Sequence, residues 1–378
     1  MPSPSDRSHV MSTVHTIVDL FAGCGGLTAG FLRADSDLGQ FRPIAAVDAD
    51  VDAAATYAAN FGADHVFLGT VEDWLEGGHH PDRADVVLGG PPCQGFSSLG
   101  KQEVADRRNA LWEQYVEAVA VLRPEFFVLE NVREFLKSEQ FSGLEEACCL
   151  NQDLADYEIE PFVLDSSLYG APQRRRRAIV IGRRREHPTV GEPPQSHQRS
   201  NVREAFHGLA GEVRQRDLPY RRTEFEGQQV SGPFRGAELH LTRNFTQLSL
   251  ERYRSIPEGG NRFDIPHNLL APCWRSHRTG AGDVMGRLLW DKPSVTIRTE
   301  FFKPEKGRYL HPKAHRPITH QEAARLQGFP DDYEWCGSKT SIARQIGNAV
   351  PLPLGEALGR HILAALSGAA VVNDAIAA

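Results

Sequence analysis

The chain has 378 residues, 40% hydrophobic and 24% charged, with a formal net charge of −7; this fits a soluble globular enzyme with one large and one smaller domain and leaves no room for a repeat or low-complexity protein. No uninterrupted apolar stretch reaches the roughly 18 residues of a membrane span, and the polar opening MPSPSDRSHVMSTVH lacks the apolar region of a secretory signal, so a cytoplasmic protein with no membrane partner is expected. The six cysteines (Cys24, Cys93, Cys148, Cys149, Cys273, Cys336) show neither paired metal spacing nor disulfide density, which argues against a structural metal and for a reducing compartment.

In chain order, apolar runs at Thr16–Phe21, Pro43–Val47, Asp85–Leu88, Phe126–Leu129 and Ala178–Ile181 alternate with helical spacing, as over Asp50–Asn60 and Asn109–Leu122. The pattern predicts a parallel sheet with helices on both faces, a doubly wound Rossmann-like α/β domain. The first run passes into Asp19-Leu20-Phe21-Ala22-Gly23-Cys24-Gly25-Gly26, a glycine-rich turn before a helix where backbone can approach a ligand closely. Asp48 ends the next strand and can accept hydrogen bonds from a ribose; a dinucleotide and an adenosyl ligand fit these two features equally.

The third run leads into GGPPCQGFSS, which sets Cys93 behind Pro91 and Pro92 at the sheet edge where open α/β folds bind ligands. Each proline fixes φ near −65°, so a thiol there is aimed before substrate arrives; a buried cysteine in a tight turn is the plainer reading. Glu130 ends the fourth strand at a mostly apolar tip, where a carboxyl tends toward a raised pKa, although such residues often only cap a strand. Gln173-Arg174-Arg175-Arg176-Arg177 precedes the fifth strand, and an extended chain would point Arg175 and Arg177 the same way.

From Arg183 to Arg316 the pattern dissolves into Pro-, Gly- and Arg-rich sequence with short strands at most, such as Ser294–Arg298, and helical periodicity returns at Thr319–Gln327 and Pro351–Leu366. The expected organisation is a flexible start over 1–15, a first domain over 16–182 plus 316–378, and a second, irregular domain over 183–315. Charge divides along the chain: residues 1–165 hold 10 basic and 28 acidic side chains, residues 166–378 hold 32 and 21, and 35 of the 42 basic residues are Arg. A basic half can attract a polyanion despite an acidic whole.

Taken in order from Asp19 to Pro351, the segments DLFAGCGG, GGPPCQGFSS, ENV, QRRRR, RPITHQEAARLQGFP and QIGNAVP resemble the motif series of the cytosine carbon-5 DNA methyltransferases of the bacterial restriction-modification type. The resemblance implies S-adenosyl-L-methionine as cofactor, S-adenosyl-L-homocysteine as product, no metal, double-stranded DNA as substrate, and a target recognition domain in the variable stretch. A monomer, functionally paired with a restriction endonuclease, is the expected state. Cys93 would add to carbon-6 of a flipped cytosine, Glu130 would hold the ring nitrogen and exocyclic amine, and Arg175 and Arg177 would favour the thiolate or hold the ring carbonyl.

For the cofactor the resemblance implies the turn Phe21, Ala22, Gly23, Gly25 and Gly26, with Phe21 against the adenine; Asp48 on the ribose; Thr70 and Val71 toward the adenine; Pro91 and Leu111 in the wall; and Asn348 near the methionine end. Three positions depart from the family pattern: Asp48 stands for a usual Glu, Ala49 for a larger apolar residue, and Thr70 for an Asp that Glu72 or Asp73 would replace. For DNA it implies a closing loop over Gln94–Arg108, acting through Gln94, Ser97, Ser98, Lys101, Arg107 and Arg108, with Gln173, Arg262, Arg275, Arg278, Arg287, Thr296 and Arg298 as further contacts. A nicotinamide oxidoreductase would leave Cys93 and Glu130 without use. A tRNA cytosine methyltransferase shares the catalytic set but not the need for a long recognition segment, and a catalytically silent DNA-binding protein would not need intact catalytic residues.

Overall fold

A computed structural model of the chain describes residues 13–92, 111–275 and 279–369. Strands β1 (Val14–Leu20), β2 (Gln40–Asp48), β3 (Val66–Leu68), β4 (Val86–Gly89) and β5 (Phe126–Asn131) alternate with helices α1 (Gly26–Leu32), α2 (Val51–Phe61), α3 (Val71–Glu76) and α4 (Leu111–Leu122). After α5 (Glu139–Ala147), β6 (Tyr157–Asp165) and β7 (Arg176–Arg184) complete a seven-stranded sheet of order β3-β2-β1-β4-β5-β7-β6. The α/β architecture is the one the sequence predicts, with apolar side chains filling both faces: Val18, Leu20, Val87 and Phe127 on one, Ile17, Val86, Leu88 and Val128 on the other.

The sheet is mixed, which corrects the expectation of a wholly parallel one. β1 to β5 pair in parallel, but β7 runs antiparallel to both β5 and β6. The crossover through α5 carries β6 past the position next to β5, and the short return from β6 fills that gap with a reversed strand. β6 was hidden in the sequence because YEIEPFVLD is an edge strand, half exposed, with a proline whose missing N–H costs nothing at an unpaired edge. Reversal decides where the arginine run lies: the register Glu130↔Ile179 and Asn131↔Ala178 brings the start of β7 to the carboxyl ends of the parallel strands.

Beyond β7 come α6 (Val202–Ala205), the hairpin β8 (Arg222–Phe225) and β9 (Gln228–Ser231), β10 (Phe234–Arg235), α7 (Gln247–Ser255) and α8 (Pro272–Arg275). The chain then returns through α9 (His320–Leu326), β11 (Glu334–Trp335), α10 (Lys339–Asn348) and α11 (Leu352–Leu366). Val202, Phe206, Phe234 and Leu239 pack with α9 and α10, and Phe225 and Val230 of the hairpin pack on Ala54 and Ala55 of α2. Tyr253, Ile256, Ile265, Met285 and Leu310 form a separate small core. The expected strand Ser294–Arg298 is reduced to a single bridge between Ser294 and Gln173, because side chains rather than a neighbouring strand take up the backbone groups of Ile297.

Helices α1 and α11 close the main domain through a glycine contact. A Cβ on Gly30 would stand 2.6 Å from the Cα of Gly355, whereas a Cβ on Gly355 would stand 3.1 Å from the Cα of Gly30. Backbone cannot swing aside as a flexible side chain can. Gly30→Ala is therefore expected to destabilise by about 2 kcal/mol, despite the better helix propensity of Ala, and Gly355→Ala by less. Thermal unfolding of the two variants checks that order; equal melting temperatures would show that the helices separate freely.

Candidate active site

Four strand ends meet at the carboxyl edge of the sheet. Glu130, behind the fully buried run Phe126–Leu129, lies 2.9 Å through Oε1 from Nε of Arg177, the two side chains being 12% and 16% exposed. The Arg177 N–H is not aligned on Oε1, so the contact is an ion pair without a directed hydrogen bond, and that buried oxygen keeps its acceptor capacity. Gly90 stands beside it: a Cβ there would be 3.3 Å from Glu130 Oε2.

Asn131 ties the proline loop to this edge. Its Nδ2 donates to the carbonyl of Pro91 (3.1 Å) while its Oδ1 accepts from Val132 N (2.8 Å), and the side chain is buried. Pro91 is buried and fixed two positions before Cys93. Cys93 itself, the loop residues Gln94, Ser97, Ser98, Lys101, Arg107 and Arg108, and Arg278 lie outside the described residues.

Arg175 is close to this pair but turned into the protein. It is 3% exposed and donates to the carbonyls of Ile297 (3.0 Å), Gly347 (2.9 Å) and Asn348 (3.1 Å). Burial, and then the like charge of Arg177, lowers its pKa to about 9, so it remains a cation at neutral pH. Arg175 therefore adds a buried positive charge near the Arg177–Glu130 pair while its own donors stay on backbone carbonyls.

The glycine turn lies at the ends of β1 and β2. Phe21 has φ 55°, uncommon for a residue with a side chain, and Gly23 and Gly25 follow with φ 56° and 80°. A Cβ on Gly25 would stand 2.4 Å from the Phe61 ring. Asp48 fixes the turn, Oδ2 accepting from Gly23 N (2.8 Å) and Oδ1 from Asp50 N (2.8 Å), and burial raises its pKa. Ala22 N donates to Val47 O (3.0 Å), and Gly26 leaves room for the backbone of Val350. At the far side Leu111 opens α4, Val71 is buried, and Asn348 ends α10 with its side chain exposed.

Thr70 and Asp73 are engaged with each other. They form a capping box at the start of α3, with Thr70 Oγ1 2.7 Å from Asp73 Oδ2 and Asp73 N donating back to Thr70 Oγ1 (3.0 Å). Glu72 Oε2 accepts from Gln114 Nε2 (3.2 Å).

Burial corrects three of the expected DNA contacts. Gln173 is fully buried and bonded on both ends of its amide, to Ile297 N (2.8 Å) and to Gln327 Oε1 (2.7 Å). Arg287 is 2% exposed and its donors are occupied by the carbonyls of Ile256, His311, Ala314 and Tyr253. Arg262 is buried too, donating to Thr279 O (2.7 Å) with its guanidinium 4.7 Å over the Phe263 ring. Arg275 and Arg298 are exposed, and half-buried Thr296 donates to Arg174 O (2.9 Å).

Sequence reasoning passed over Asn131, although it stands inside the ENV triplet, and over Asp19. Asp19 is buried beneath the glycine turn, accepting from Thr28 Oγ1 (2.6 Å), which also meets Tyr57 OH (3.1 Å). Its hint was position: an acid two residues before a glycine turn, inside an otherwise apolar strand. No group of three or more His, Cys, Asp or Glu that could hold a metal exists among the described residues.

Residues 15–364 match the model of the family described as C-5 cytosine-specific DNA methylase. Type II methyltransferase M1.HphI of Haemophilus parahaemolyticus is 32% identical over 359 residues, covering 92% of this chain and 86% of its own length. Type II methyltransferase M.PspPI of Psychrobacter sp. is 32% identical over 365 residues, covering 95% and 81%. The chain is also similar to the solved structure of a prophage-encoded DNA modification methyltransferase from E. coli (TM-score 0.70, 26% identity, 93% of this chain and 99% of that one). The S. pombe Dnmt2 methyltransferase shares the fold, with TM-score 0.55 and 17% identity over 94% and 99%.

Asp19 also makes stability depend on pH. Burial foremost, with a lesser contribution from the charge of Asp48, raises its pKa from 3.8 to about 7. The folded protein keeps a proton that the unfolded chain releases, so stability falls as pH rises between those two values and is constant above them. Asp19→Asn still accepts from Thr28 and cannot ionise. Its unfolding free energy, measured by denaturant titration, is expected to pull ahead of the wild type between about pH 4 and 7 and hold a constant lead above, on the order of a few kcal/mol; a lead independent of pH would place the ionisation elsewhere.

Proposed function

The chain belongs to the C-5 cytosine-specific DNA methylase family and is a DNA cytosine-5 methyltransferase of the restriction-modification type; from this premise we propose that it methylates a cytosine, flipped out of a short duplex site, through a covalent adduct with Cys93. The observation that carries the reading is the Arg177–Glu130 pair at the sheet edge, beside a Pro91 carbonyl held by Asn131. Methyltransferase chemistry of this family implies S-adenosyl-L-methionine, and the chain's residues fit it: a cradle of positive-φ residues at Phe21, Gly23 and Gly25, and Asp48 with acceptor capacity left for a ribose. When bound, that group supplies an electrophilic methyl on a sulfonium.

Cytosine carbon-5 is a weak nucleophile. Addition of the Cys93 thiolate to carbon-6 breaks the ring's conjugation and moves electron density to carbon-5 and to the ring nitrogen and carbonyl. A free thiol with pKa about 8.5 is mostly protonated at neutral pH, and the uncompensated charge of Arg175 beside Arg177 and Glu130 favours its anion. A proton taken up from solvent as the base enters is shared between Glu130 and the ring nitrogen, and with Arg177 alongside it offsets the charge that addition creates. Once carbon-5 has taken the methyl group, loss of its proton to a base and expulsion of the Cys93 thiolate restore the ring. Asn131 and the prolines keep the nucleophile's approach fixed while the Gln94–Arg108 loop closes over the extruded base.

Residues 16–182 plus 316–378 hold this chemistry, and 183–315 read the duplex, with Arg275, Arg298 and Thr296 left as its candidate contacts. In this reading the chain is functionally paired with a restriction endonuclease, which its similarity to Type II methyltransferases supports. Incubation with tritiated methyl donor and either plasmid DNA or bulk tRNA tests the acceptor, label on tRNA alone counting against the reading. Cys93→Ser is expected to lower transfer by more than about a thousandfold with DNA binding retained, and 5-fluorocytosine duplex to trap the wild type covalently. A trapped adduct in Cys93→Ser would refute the nucleophile.

A further inference from the structure

The residues leading into β7 pair with Ser294–Ile297 only in part through backbone, and the rest of the pairing is made by side chains. Ser294 N donates to Pro172 O (2.9 Å), Arg174 N to Ser294 O (2.8 Å), and Thr296 Oγ1 to Arg174 O (2.9 Å). One residue farther the backbone ladder stops. Gln173 Oε1 accepts from Ile297 N (2.8 Å) and Arg175 Nη1 donates to Ile297 O (3.0 Å), so two residues of the arginine run hold both polar groups of one residue.

The other ends of those side chains are anchored in the returning part of the main domain. Gln173 Nε2 donates to Leu326 O (3.3 Å) and Gln327 Oε1 (2.7 Å), and Gln327 Nε2 donates on to Ile346 O (2.5 Å) and Ala349 O (3.2 Å). Arg175 reaches Gly347 O and Asn348 O at the end of α10. Both Gln residues are fully buried, and a glutamine is needed at 173 because one group must accept from Ile297 while the other donates to Gln327. Two residues past Arg175, Arg177 lies on Glu130; one residue past Ile297, Arg298 is exposed.

We propose that Gln173 and Arg175 are positioning residues that register the Thr296–Arg298 segment, anchored by buried Ile297 and ending in exposed Arg298, against the Arg177–Glu130 pair, so that duplex engaged by the former sets the latter for reaction. The proposal rests on the function argued above, with Arg177 as the group acted through. Simple adhesion between segments would be a weaker role, affecting stability and not the rate of the folded enzyme.

Gln173→Glu separates the two roles. The carboxylate still accepts from Ile297 N but meets the Gln327 oxygen with no proton to give; the protonated acid restores the pattern, and burial against an acceptor makes it take up that proton readily. With wild type run in parallel at every pH, the single-turnover rate of methyl transfer to duplex DNA is expected to fall about tenfold at pH 8, with DNA affinity within about twofold, and the deficit to narrow toward pH 6. Thr296→Val breaks the register from the partly exposed side, where folding is not at stake, and is expected to slow the same step about threefold; it decides the matter should Gln173→Glu fail to fold. Wild-type rates in the folded variants, a deficit independent of pH, or a loss confined to DNA affinity would overturn the proposal. A wild type that transfers no methyl to DNA would instead sink the proposed function.

Discussion

The Arg177–Glu130 pair forms because β7 runs against β5. Had the strand joined the sheet in parallel, its beginning would lie at the opposite edge, and the arginine run would be separated from Glu130 by the length of the strand. Reversal places the carboxyl end of β5 and the amino end of β7 side by side, so two neighbouring strands offer a carboxylate and a guanidinium to the same space. The ends of β1 and β2, with their glycine turn, and the Pro91 loop after β4 open onto that same edge. One strand direction thereby turns a generic nucleotide-binding edge into a place where a carboxylate, a guanidinium and a tethered loop converge.

Much of this was legible in the residues. Alternating apolar runs gave five strands and the fold class, and the glycine turn, the proline pair, Glu130 and Arg177 fell where the strand ends were expected. Direction was not legible, since a buried strand such as Ala178–Ile181 reads the same both ways and β6 was masked by its charged edge residues and Pro161. Side-chain destination was not legible either. A run of arginines in a chain with a basic half looks like a polyanion surface, yet Arg175, Arg262 and Arg287 are buried and bonded to backbone carbonyls. Nothing in local sequence distinguishes an arginine that reads DNA from one that ties loops together, because both uses exploit the same fork of five donors.

Irregular sequence explains why arginine is used this way. The stretch after β7 has few ladders to satisfy its backbone, and buried carbonyls left without donors would each cost free energy. A single guanidinium satisfies three or four of them at once, as Arg287 does for Ile256, His311, Ala314 and Tyr253. The charge so buried is expensive to desolvate, and losing such a side chain would strand every carbonyl it serves. Low regular-structure content and high arginine content are, on this view, two aspects of one solution.

The close crossing of α1 and α11 has a bearing on how the molecule comes into being. α1 follows the first strand, while α11 is made only after the whole irregular unit has been synthesised, and Leu27 and Phe31 share their apolar layer with Leu354, Leu358 and Ile362. A nascent chain on the ribosome therefore exposes one flank of its sheet until translation has passed the intervening unit. Cooperative closure then waits for that late helix, and a chain interrupted before it would present a sticky, unsealed flank to chaperones and proteases in place of a working catalyst.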